Sequence, residues 1–102
     1  MTVTVTILSL TPMLARLRVT VAGGGPVAAR VVGPRREGFA TVEVSFAMRL
    51  TSSDAAGATL EATIPEPNRA PYVYEVVVTR GAERLTQLVQ LPGARQETSP
   101  GL

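Results

Sequence analysis

Three glutamates, Glu43, Glu61 and Glu75, come closest to a catalytic pattern in this chain, because two carboxylates facing each other across a cleft can serve as acid and base in glycoside hydrolysis. Each sits at an outward position of an alternating run, which predicts a solvated face residue or a cross-strand ion pair. Acid–base and nucleophilic chemistry have few other groups to draw on. The chain has no histidine, no cysteine nucleophile and no lysine for a Schiff base. Metal ligation meets the same shortage, since Asp54 is the only aspartate and the glutamates are scattered. The expectation is a protein that is not an enzyme, with no catalytic, metal-binding or cofactor-binding residue and no cofactor.

Binding chemistry has more candidates. Arg35-Arg36 is the densest basic spot and suits a phosphate, a carboxylate or an acidic partner surface. Glu66 and Arg69 flank prolines 65, 67 and 71, and a proline-stiffened loop docks at little ordering cost. Arg35, Arg36, Glu66 and Arg69 are therefore the expected partner-binding residues. Gly23-Gly24-Gly25-Pro26 has the glycines of a phosphate loop without the Lys-Ser/Thr pair or the helix that such a loop needs, so it reads as a turn. Tyr72 and Tyr74 could stack on a sugar, but in a chain with four aromatic residues they read as corner and core residues.

The elements that must position these residues are strands. From Phe39 to Leu50, Val42, Val44, Phe46, Met48 and Leu50 alternate with Thr41, Glu43, Ser45, Ala47 and Arg49, which gives one apolar and one polar wall and predicts a single long strand. Val3, Val5 and Ile7 alternate with threonines until Leu8 and Leu10 switch parity, predicting a bulge near Ile7 and Leu8. Further strands are expected at Arg16–Val21, Val27–Val32, Thr59–Ile64, Tyr72–Thr79 and Arg84–Leu91. Gly33 to Gly38 reads as a returning loop, and Ser53 to Ala56 as one helical turn. Arg80-Gly81-Ala82-Glu83 reads as a tight hairpin. About seven short strands with turn signals between them predict an all-β, antiparallel β-sandwich, with a small β-barrel as the alternative. The domain is expected over residues 1–92, followed by a flexible tail over 93–102 rich in Gly, Arg, Gln, Ser and Pro.

Bulk composition narrows the partners. A formal charge of +2 is small for an electrostatic nucleic-acid binder, and the absence of lysine and histidine makes the high isoelectric point a matter of two surplus arginines. Charge is uneven, with six Arg and two Glu in residues 1–50 (+4) against four Arg and six acidic residues in 51–102 (−2), a pattern that can help subunits dock head to tail. No run is long and apolar enough for a helical membrane span, and the N-terminus lacks the features of a signal peptide. The expectations are no nucleic acid, no membrane and folding in the cytoplasm.

Residues 57–92 carry a resemblance. A strand running into Ile64-Pro65, a proline loop, Tyr72-Val73-Tyr74-Glu75-Val76, a glycine hairpin and a final strand resemble the second half of a fibronectin type III or related immunoglobulin-like domain. That resemblance implies that Tyr72 or Tyr74 anchors the preceding corner through its hydroxyl. The family's core tryptophan is missing, and the proline loop is longer than usual. Met1-Thr2-Val3-Thr4-Val5-Thr6, Tyr74-Glu75-Val76 and Val89-Gln90-Leu91-Pro92 are also similar to small immunoglobulin-like β-proteins of tailed bacteriophage particles. This second likeness implies a structural protein of a virion-like assembly, either a minor tail or baseplate component or a capsid decoration protein. It would be located in the virion and assembled in the host cytoplasm. Its partners would be other structural subunits, as a homo-oligomer or lattice neighbour. The alternative is a recognition module for a carbohydrate or cell-surface protein, with a cell-surface glycan as its ligand.

Overall fold

The computed structural model describes residues 1–11, 13–65 and 72–91, with the side chains of residues 35–37 and 72 outside that description. The described chain is all β. Its strands are β1 (Val3–Leu10), β2 (Leu14–Ala22), β3 (Ala28–Glu37), β4 (Ala40–Ala47), β5 (Arg49–Ser53), β6 (Gly57–Pro65), β7 (Tyr72–Arg80) and β8 (Glu83–Leu91). They form two antiparallel sheets of four, ordered β1-β2-β6-β5 and β4-β3-β7-β8. The expected β-sandwich is therefore the architecture found.

Alternation explains the core. In β2, Ala15, Leu17, Val19 and Val21 are fully buried, while Arg16, Arg18 and Thr20 between them are exposed. Ala58, Leu60, Ala62 and Ile64 of β6 extend the same inner face. Val31, Tyr74, Val76, Val78, Val89 and Leu91 close the core from the second sheet. Most are aliphatic and many are β-branched, which suits a pleated surface packed on another. In β1 the register slips between Ile7 and Ser9, placing the bulge where the parity switch predicted it.

The long strand does not survive as one strand. It divides at Met48 into β4 and β5, which belong to different sheets, and this raises the strand count to eight. Met48 is 8% exposed, and its N–H donates to the carbonyl of Ala29 at 2.9 Å. Period two continues straight through the crossing, so the chain changes sheet without changing face. The expected helical turn near Asp54 is likewise a hairpin turn between β5 and β6. One carboxylate oxygen of Asp54 accepts the N–H groups of Ala56 at 2.8 Å and Gly57 at 3.0 Å, offering the backbone a local alternative to a helix.

The expected loop from Gly33 to Gly38 is also strand as far as Glu37. Through it β3 stays paired with β4, with Gly33 opposite Val44, Pro34 opposite Glu43, Arg35 opposite Val42, Arg36 opposite Thr41 and Glu37 opposite Ala40. Pairing of β3 with β7, by contrast, covers only Ala28 to Val32. Pro34 supplies the reason. Its carbonyl accepts the Tyr74 hydroxyl at 3.3 Å and so faces β7. In an antiparallel strand a residue's nitrogen and carbonyl point to the same side, and the proline nitrogen carries no hydrogen to give. Gly33, one residue earlier, is where the Tyr74 ring lies over the backbone, and a Cβ built there would fall inside the ring's van der Waals envelope.

Beyond that point the β3–β4 hairpin is an arm. Four more residue pairs carry its tip roughly 13 Å further at about 3.3 Å per residue. Residues 38 to 43 are all exposed.

Candidate functional site

Gly38 and Phe39 form the arm's two-residue turn. Gly38 has a φ of 61°, the positive value that both primed hairpin turns require at their first central position. Phe39 follows at full exposure. At the arm's root, on the outer face of its sheet, an open groove runs between the departing hairpin and β7 and β8. Val32, Pro34, Val73 and Leu88 give it apolar walls, and Glu43 and Glu75 line it as well. Val73 and Leu88 are 49% and 64% exposed, well above what residues of their type show in a core.

The outer face of the other sheet has a different chemistry. Register aligns Thr4, Thr20 and Thr59 in one row across β1, β2 and β6, and Thr6, Arg18, Glu61 and Arg49 in the next, which extends to β5. Arg18 donates to Glu61 through Nε at 3.1 Å and Nη2 at 2.9 Å, both to Oε2, and Arg16 Nη2 reaches Oε1 at 3.3 Å. The Arg18 hydrogen bonds, and then the charges of Arg18 and Arg16, hold the Glu61 carboxyl below its usual range against an opposing desolvation cost. Glu61 is thus the cross-strand ion pair that its position predicted.

Two of the three candidate carboxylates, Glu43 and Glu75, share the groove, and Glu61 is on the opposite face. Arg35 and Arg36 lie in the arm, in register with Val42 and Thr41, instead of in a loop. Glu66 and Arg69 lie outside the described residues, as does residues 93–102, the expected tail. The residues that flank these segments, Pro65, Tyr72 and Leu91, pair at the arm end of the sandwich. Tyr74 is 2% exposed, which makes it a core residue and removes it as a sugar platform. Its hydroxyl reaches across to Pro34 in the adjacent strand.

Sequence reasoning missed Phe39, counting it as the start of the long strand. The signal was present. Phe39 has the parity of Thr41, Glu43 and Ser45, the polar wall, and it follows a glycine, so a large apolar residue stands where strand and turn both favour polar ones.

Among the described residues no three metal-ligating side chains of His, Cys, Asp or Glu converge, and no helix is long and apolar enough to cross a membrane. Set against known protein families, curated proteins and solved structures, the chain matches none.

Proposed function

We propose that this chain is a non-enzymatic structural subunit that works through contacts with neighbouring proteins in a larger assembly. The assembly is of the phage-particle kind, in which the chain would be a minor tail, baseplate or capsid decoration component. The projecting β3–β4 arm, with Phe39 bare at its tip, carries this reading. A single large aromatic exposed at the end of a paired hairpin has no role in the core below it and is well suited to a pocket on a neighbour. The ladder holds the arm in shape beforehand, so docking costs little ordering entropy. The outer strands β1, β5, β4 and β8 add edges on which a neighbouring strand can pair.

Sedimentation of an epitope-tagged chain from the cells that produce it tests the proposal. The expected result is a discrete, fast zone with a fixed copy number of this chain, determined by quantitative mass spectrometry. A chain found only in the monomer zone would overturn it, as would substrate turnover abolished by Glu43→Gln or Glu75→Gln in a folded protein.

A further inference from the structure

Resting on that reading, we propose that the arm's partner is a second copy of this chain, with Phe39 of one copy seated in the Val73–Leu88 groove of the next. The two surfaces complement each other in charge. The tip segment carries Arg35 and Arg36 against one acid, Glu37, and ends in the fully exposed Phe39. The groove offers Val32, Pro34, Val73 and Leu88 to an aromatic ring and lines it with Glu43 and Glu75, with no basic side chain among the described residues. Arginine facing carboxylate around an apolar anchor fixes the register of such a contact and disfavours two grooves or two tips meeting.

The arm's root lines the groove of its own copy through Pro34, Thr41, Val42 and Glu43, but Phe39 at the tip is not among the lining residues. Eight consecutive β3–β4 pairs, from Arg30–Ala47 to Glu37–Ala40, form the arm's ladder. A tip that leaves one copy and a hole at the base of another make a heterologous contact, in which the two partners use different surfaces. Repetition of that contact yields a ring when the rotation closes and an open filament when it does not. The same pairing uses Arg35 and Arg36 as partner-binding residues and gives the Glu43–Glu75 pair a role that needs no catalysis.

The test uses the full chain and two variants altered at exposed positions, Phe39→Asp, which disables the tip, and Leu88→Arg, which fills the groove. Light scattering across protein concentration should show wild-type mass rising above the monomer, to a closed ring of two or more copies or an open series. Each variant alone should stay monomeric over that range, with at least tenfold weaker self-association and an unchanged circular dichroism spectrum. An equimolar mixture should form dimers and nothing larger, since one intact tip and one intact groove remain per pair. The inference fails if the wild type stays monomeric, if either variant assembles like the wild type, or if the mixture remains monomeric. A fast-sedimenting zone in cells alongside any of those results would leave the assembly reading standing with a different chain in the groove.

Discussion

The turns at Gly38-Phe39 and Gly81-Ala82 are built alike, each a two-residue hairpin connection opening on a glycine, with φ of 61° and 58°. Each joins neighbouring strands of the second sheet. Past the turns they diverge. The β7–β8 tip is strapped to the sandwich, because Arg80 donates through Nη1 to the Ala22 carbonyl at 3.0 Å and through Nη2 to that of Gly23 at 2.9 Å. Glu83 adds the N-terminal ammonium of Met1 at 3.8 Å, a weak contact at that exposure. The β3–β4 tip bears Phe39 where its counterpart bears Ala82, and the β3–β7 ladder behind it ends at Val32. Turn chemistry makes a hairpin, but what the strands meet behind the turn decides whether it becomes part of the body or an arm.

The strongest way to break the comparison is at the arm's root. Tyr74 holds Gly33 under its ring and Pro34 through its hydroxyl, so Tyr74→Ala should cost about 3–5 kcal/mol, as large-to-small changes of buried aromatics do. Chemical denaturation should show that loss, together with altered amide exchange at Val32 and Gly33. A loss below about 1 kcal/mol would mean that the ring does not hold the root. Next in size is the strap on the other hairpin. Arg80→Ala removes two hydrogen bonds from a charged donor and should cost about 2 kcal/mol. The change also removes a buried Nε without a partner among the described residues, which places the value toward the lower end. Thermal melts would measure it, and an unchanged midpoint would show that this tip needs no strap.

These two hairpins also show what the sequence disclosed and what it hid. Arg80 to Glu83 was legible because glycine-centred turn chemistry and flanking alternation agree. Pro34 misled, since proline reads as punctuation, yet it stands within β3, with its nitrogen toward the side where pairing stops. Met48 misled in the opposite direction. Alternation reports which face a side chain takes and not which sheet its backbone pairs with, so an unbroken period concealed the crossing from β4 to β5. The core faces were readable from parity because burial acts residue by residue. The groove was not, since Val32, Val73 and Leu88 come from three strands and meet only through registers that no local pattern encodes. Of the expected partner-binding residues, Arg35 and Arg36 fall on the arm, and its most exposed apolar residue was visible only as a break in parity.

The smallest effect separates an arm from a body most cleanly. Gly38→Ala and Gly81→Ala place the same methyl group at nearly the same positive φ, and a Cβ at either position meets nothing within 4 Å, so backbone strain is the common cost, about 1 kcal/mol. Where the turn is fastened to the sandwich, that strain must be carried by the whole fold. Gly81→Ala should therefore lower the melting midpoint by about 5 °C. Where the turn ends an arm, the distal pairs can open while the core stays closed, and local opening relieves the strain at little global cost. Gly38→Ala should leave the midpoint within about 1 °C of wild type and raise amide exchange at Val42, which pairs with Arg35 in the arm's ladder, severalfold. Equal losses in the two variants would show that the arm unfolds only with the sandwich, as one cooperative body. Unequal losses in the stated order would show that its stability is local, as befits a segment shaped to meet a partner instead of its own core.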